Sequence, residues 1–127
     1  MAITPMLFVE DVEATSRWMQ DLLGLKSAHG GKEFEMLVDA DRKVALQLHH
    51  ADAEEHGETR LPVGAPRGAG VLLYVQAPDV RAAYAKARAM GATCEGPPTF
   101  IRQAGHTEFV VRDPDGYALA IYQRGEV

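Results

Sequence analysis

Five histidines, one cysteine and a carboxylate-rich turn are the groups in this chain best suited to moving protons or holding an ion. His49 and His50 are neighbours at the end of an extended apolar run, Val44 to His49. Successive strand residues point to opposite faces, so this pair cannot clasp one ion. His106 stands just before another extended run, Thr107 to Arg112, where it could titrate near neutrality, hydrogen-bond a ligand or act as a general base. An exposed loop histidine is the simpler alternative. His29 and His56 fall in turn-rich segments and read as solvated surface. Asp113 and Asp115 resemble paired carboxylates, but in Asp113-Pro114-Asp115-Gly116 their expected work is hydrogen bonding to the local backbone. Cys94 has no basic neighbour in sequence and reads as a buried or bystander thiol.

Composition narrows the partners. A single cysteine excludes an intrachain disulfide and any Cys-rich metal motif, which suits a reducing cytoplasm. The formal charge is -5 and the basic residues are scattered singly, so no patch neutralises successive phosphates and nucleic acid is not an expected partner. No apolar run has the length of a membrane span, and the first residues lack a charged region followed by an apolar stretch and a cleavage site. The expectation is a soluble cytoplasmic protein without membrane contact.

The elements that must position these groups occur twice. Ile3 to Val9 alternates, with Thr4, Met6 and Phe8 on one face and Ile3, Pro5, Leu7 and Val9 on the other. Asp11 is placed to cap a helix whose stripe is Val12, Thr15, Trp18, Met19 and Leu22, with Trp18 read as core and Gly24 as the stop. Three extended runs follow: Leu25 to Ala28, Glu33 to Asp39 and Val44 to His49. After a polar, Pro- and Gly-rich connection the order repeats. A strand at Val71 to Val75 precedes a helix from Asp79, with stripe Val80, Ala83, Tyr84, Ala87 and Met90 and stop Gly91. Thr93 to Glu95, Thr107 to Arg112 and Ala118 to Gln123 complete it. The fold class is α+β, two tandem β-α-β-β-β modules at 1–50 and 70–127 joined by 51–69 as one domain. Each half-module's sheet has one face covered by its helix and one face open.

Phe8-Val9-Glu10-Asp11 leading to Leu22-Leu23-Gly24-Leu25, and Phe109-Val110-Val111-Arg112-Asp113-Pro114-Asp115-Gly116-Tyr117, resemble the vicinal oxygen chelate superfamily. That group holds glyoxalase I, extradiol dioxygenases, fosfomycin-modifying enzymes and bleomycin resistance proteins. The resemblance covers essentially the whole chain. It implies paired modules forming a curved mixed sheet around a cleft with the helices outside, commonly in a homodimer whose strands are sometimes exchanged.

In metal-dependent members of that group four cleft positions carry His, Glu or Gln ligands. Carried onto this sequence, they fall on Thr4, Gln47, Gly70 and Ala120. Divalent transition metals in catalytic sites need about three His, carboxylate or thiolate donors. Gly and Ala offer none, and a Thr hydroxyl and a Gln amide are weak, so no metal and no other cofactor is expected. A rebuilt site from Gln47, His49 and His106 is the one alternative, and it would need converging ligands with their own supporting shell.

The cleft implied by the resemblance would be lined by Thr4, Met6, Phe8, Gln47, His49, Leu72, Tyr74, His106 and Tyr122, with Ala45 and Ala118 on the same faces. Phe8 and Tyr74 are read as matching positions of the two modules. This lining suits a flat or greasy organic molecule held by stacking and oriented by a few polar tips; the plain alternative is that the aromatics fill the cleft or a dimer core. The expectation is thus a metal-free, homodimeric small-molecule binder that sequesters an antibiotic or similar compound. The alternatives are a glyoxalase-type lyase, isomerase or dioxygenase with relocated residues, His49 and His106 being the catalytic candidates, and an accessory module with a closed cleft.

Overall fold

The computed structural model describes residues 1–52 and 67–127. His56 and most of the expected connection lie outside the described residues. The chain divides into two compact units, Met1–Ala65 and Pro66–Val127.

In the first unit β1 (Met6–Val9), α1 (Val12–Leu23), β2 (Lys26–Ser27), β3 (Phe34–Val38) and β4 (Val44–His50) follow in sequence. Their sheet runs in the order β1-β4-β3-β2, with β1 parallel to β4 and the other pairs antiparallel. Asp11 is extended and its carboxylate accepts from the Ala14 amide at 3.0 Å, satisfying one of the free first-turn donors. Gly24 stops the helix in the left-handed conformation at φ 70, and its amide donates to the Gln20 carbonyl. Val12, Thr15, Ser16, Met19 and Leu22 are buried, and the helix packs on β3 and β4. Leu7, Val9, Leu37, Leu46 and Leu48 form the covered side of the sheet.

Three expectations change here. The strand starts at Met6 rather than Ile3, although the Pro5 carbonyl still accepts from Gln47. Trp18 is half-buried and stands beside the stripe, where Ser16 takes a buried place to meet Glu35. Ala45 is a bulge: the pairing steps from Leu37–Leu46 to Val38–Val44, which takes Ala45 out of the ladder.

The second unit contains β5 (Leu72–Gln76), α2 (Val80–Ala89), β6 (Thr93–Cys94), β7 (Thr99–Ile101), β8 (His106–Arg112) and β9 (Ala118–Arg124). The sheet order is β5-β9-β8-β6, with β7 also paired to β8. Again the first and last strands are parallel partners. Asp79 caps α2 through bonds from the Arg81 and Ala82 amides. Val80 and Ala87 are buried, and Tyr84 meets Phe109 edge to face at 5.3 Å. The short strand β7 was not among the expected elements; it has three residues and follows Pro97-Pro98, too brief to show alternation.

The start of the second unit is docked on the Asp113-Pro114-Asp115-Gly116 turn. The guanidinium of Arg67 pairs with the Asp115 carboxylate. Gly68, at φ 78, lies so close to Tyr117 that a Cβ there would come within 2.9 Å of its ring. Asp113 does the backbone work expected of it, its Oδ1 accepting from the amides of Asp115 and Tyr117. Asp115 instead makes the ion pair.

Candidate functional site

Each sheet has one face turned away from its helix, and strand register decides what stands on it. In the first unit Gln47 on β4 is flanked by Met6 and Met36, and His49 by Phe8 and Phe34. The ring centroids of Phe8 and Phe34 each lie 6.1 Å from that of His49. Thr4 precedes β1 and is half-buried, as are Met6, Phe8, Phe34, Met36 and Gln47; His49 is buried. Phe34 and Met36 were missed by the sequence reading. They alternate correctly within Phe34–Val38, but only the pairing with β4 reveals that they bracket the same two residues.

His50 points to the other side, and its Nδ1 accepts from the Asp52 amide at 3.2 Å. The His29 ring meets Phe34 edge-on at 4.9 Å. Its amide donates to Glu35, a buried carboxylate on the covered side. Glu35 also accepts from the Ser16 and Ser27 hydroxyls and from the Gly30 and Met36 amides. Burial alone would push its pKa up; these bonds outweigh it and hold the carboxyl below its ordinary value. Glu35 is a structural clamp joining α1, β2 and the β2–β3 turn.

In the second unit Ala120 is flanked by Tyr74 and Val110, and Tyr122 by Gln76 and Glu108. His106 lies one step further along β8, opposite Arg124. Its Nε2 is 2.6 Å from Glu108 Oε1, and the Tyr74 hydroxyl reaches the same oxygen at 3.4 Å. The charge of Glu108 raises the Tyr74 pKa, so its hydroxyl stays a donor. The His106 ring lies 4.7 Å from Tyr122 and 5.9 Å from Tyr74, and the tyrosines are 5.7 Å apart. Leu72 and Tyr74 are exposed, at 45% and 55%. The structure thus brings Tyr74, His106 and Tyr122 together and adds Glu108, which the sequence reading overlooked. Its signal was present: residues two apart on a strand share a face, and Glu108 is two from His106.

Register also revises two equivalences between the units. Met6 lies opposite Gln47, and Tyr74 opposite Ala120. Two residues before Tyr74 is Leu72, which is also seven residues before the cap Asp79, as Thr4 is before Asp11. On this register the third position carried over by the resemblance falls on Leu72, whereas Gly70 precedes the strand. By the same register Phe8 matches Gln76, and Tyr74 matches Met6, so the two aromatics are not equivalent. The corrected set Thr4, Gln47, Leu72 and Ala120 still holds no carboxylate, imidazole or thiolate and does not fit a transition metal. Among the described residues no three His, Cys, Asp or Glu side chains are grouped to hold an ion. Cys94 is half-buried, and burial raises its thiol pKa despite Arg88 nearby.

An α+β chain of a β-α-β-β-β unit and a second of the same order with the short β7 added, each with parallel first and last strands and one open sheet face, defines a recognisable class. The profile of the glyoxalase/bleomycin resistance protein/dioxygenase superfamily matches residues 3–121, and the chain belongs to that superfamily. No curated protein matches the sequence significantly. Similar solved structures include a glyoxalase-related enzyme from Fulvimarina pelagi, at TM-score 0.79 and 18% identity, covering 98% of this chain and 88% of that one. A glyoxalase/bleomycin resistance protein/dioxygenase from Nocardioides has TM-score 0.77 and 21% identity, covering 99% and 85%. A lactoylglutathione lyase from Agrobacterium tumefaciens has TM-score 0.72 and 18% identity, covering 96% and 92%. At these identities the likeness shows the fold. No helix among the described residues is long and apolar enough to cross a membrane.

Proposed function

We propose that this protein binds a flat, largely apolar organic molecule without a resident metal ion, in the manner of a sequestering protein for an antibiotic or similar compound. One observation carries the reading. The open sheet faces keep rings, thioethers and a few polar tips, while the positions at which the superfamily mounts its metal read Thr4, Gln47, Leu72 and Ala120. Met6, Met36, Phe8 and Phe34, set around Gln47 and His49, offer polarizable surface beside the half-buried Gln47 amide. Tyr74 and Tyr122 offer the same combination in the second unit. The working form in this reading is a homodimer, the assembly that the resemblance implies.

Elemental analysis of untreated protein tests the first half: the expected content is well below one transition-metal ion per chain. One tightly held ion per chain would overturn the reading. The fluorescent probe anilinonaphthalene sulfonate tests the second half. Phe8→Ser and Tyr122→Ser are expected to weaken its binding several-fold with unfolding temperature little changed, and unchanged binding in both would refute the aromatic face as the binding surface.

A further inference from the structure

The pairing of His106 with Glu108 does more than line a face. With Glu108 ionised, its oxygen can only accept, so the His106 nitrogen facing it carries the proton and the lone pair of a neutral ring falls on Nδ1. Both side chains are well shielded for an open sheet face, at 12% and 15% exposure. A carboxylate on one imidazole nitrogen, a lone pair on the other and a tyrosine ring alongside is an arrangement for taking a proton from a planar substrate.

The geometry points to a metal-independent proton-transfer site on the open face of the second unit, with His106 as general base and Glu108 as its positioning residue. This goes beyond the binding reading and shares with it only the Tyr122 ring as the surface on which the planar molecule lies. The substrate class is a planar, conjugated carbon acid that lies on the ring of Tyr122. Glu108 holds the tautomer and offsets the charge of the imidazolium formed. Tyr74 donates to Glu108, and the Tyr122 ring lies against His106 at an interplanar angle of 34°. Gln76 lies beside Tyr122, Ile101 is paired with His106 from β7, and Arg124 is the charged neighbour on β9.

A generic planar carbon acid, 5-nitrobenzisoxazole, tests the proposal without knowledge of the natural substrate. The base takes the C3 proton and the C–H electron pair completes a nitrile. The N–O bond breaks with its electrons leaving on oxygen, so the coloured product is a cyanonitrophenolate, and the imidazolium returns its proton to water.

With the full chain in a chelating buffer, His106→Ala is expected to lower kcat/KM by about a hundredfold, the usual reach of a positioned base. Glu108→Gln should lower kcat about tenfold with KM within twofold, and nitrogen NMR of His106 should show the Nε2-protonated tautomer in the parent protein and a mixture in this variant. His106→Asn provides a second base-free variant should the alanine form fold poorly. His50→Ala, which removes a histidine from the opposite side of the first unit's sheet, should match the parent. Parent activity no greater than that of the two His106 variants would overturn the proposal. So would an Nδ1-protonated His106.

Discussion

Replacing Asp113 by Asn should make the protein more stable at neutral pH than at acid pH relative to the parent. Asp113 is 5% exposed, and its Oδ2 is buried with no hydrogen-bond partner among the described residues, while Oδ1 holds the Asp115 and Tyr117 amides. Burial, reinforced by the nearby charge of Asp115, outweighs those bonds and pushes the carboxyl from 3.8 up to about 6. The folded state therefore holds a proton that the unfolded chain has already released between these values. Stability from that proton is fully present below about 3.8 and is lost as pH rises through about 6. At about 1.4 kcal/mol per pH unit the loss is on the order of 2 to 3 kcal/mol. Asn keeps the accepting oxygen and cannot ionise, and any cost of its unpartnered amide group does not vary with pH. Urea unfolding of both proteins at pH 4, 5.5 and 7.5 measures the difference. The variant's stability minus the parent's should rise by about 2 kcal/mol across that range, all other groups cancelling. A difference independent of pH would refute the buried, reluctantly ionised Asp113.

Glu35→Ala should destabilise by about 3 kcal/mol in urea unfolding, because it strands two hydroxyls and several amides around a buried site. Because the Glu35 pKa is lowered on folding, its contribution is present above the unfolded value and lost as pH falls through the folded one, so Glu35→Gln should flatten the acid limb of the stability curve. Gly68→Ala should cost about 2 kcal/mol, since the new methyl meets Tyr117 and the residue must hold a positive φ; a melting temperature equal to the parent's would contradict that packing.

The architecture was largely written in local chemistry. Asp11 and Asp79 cap their helices as read, Gly24 stops the first, and the alternation of Leu7 and Val9 against Met6 and Phe8 places each on the expected face. What local pattern could not supply was alignment between strands. Leu72 rather than Gly70, and the mismatch of Phe8 with Tyr74, follow from pairings between residues over forty positions apart. A shift of two residues keeps every side chain on its face, so alternation could not expose the error. The Ala45 bulge and the three-residue β7 escaped for a related reason: each depends on a partner strand. Glu35 was hidden because a charged residue inside a strand reads as solvent-facing, and it takes the Gly30 and Met36 amides with the serines on α1 and β2 to make its burial tolerable.

In each unit the inner strand beside the first one is the last to be made. β4 sits between β1 and β3, and β9 between β5 and β8. During synthesis β1 has no neighbour to bond until some forty residues later, and β5 waits equally long for β9. A second unit interrupted at the Asp113 turn would carry its helix and four strands, with β6 and β7 already paired to β8 and β5 left without a partner. The second unit's sheet is therefore completed only when β9 is made and joins β5 to β8.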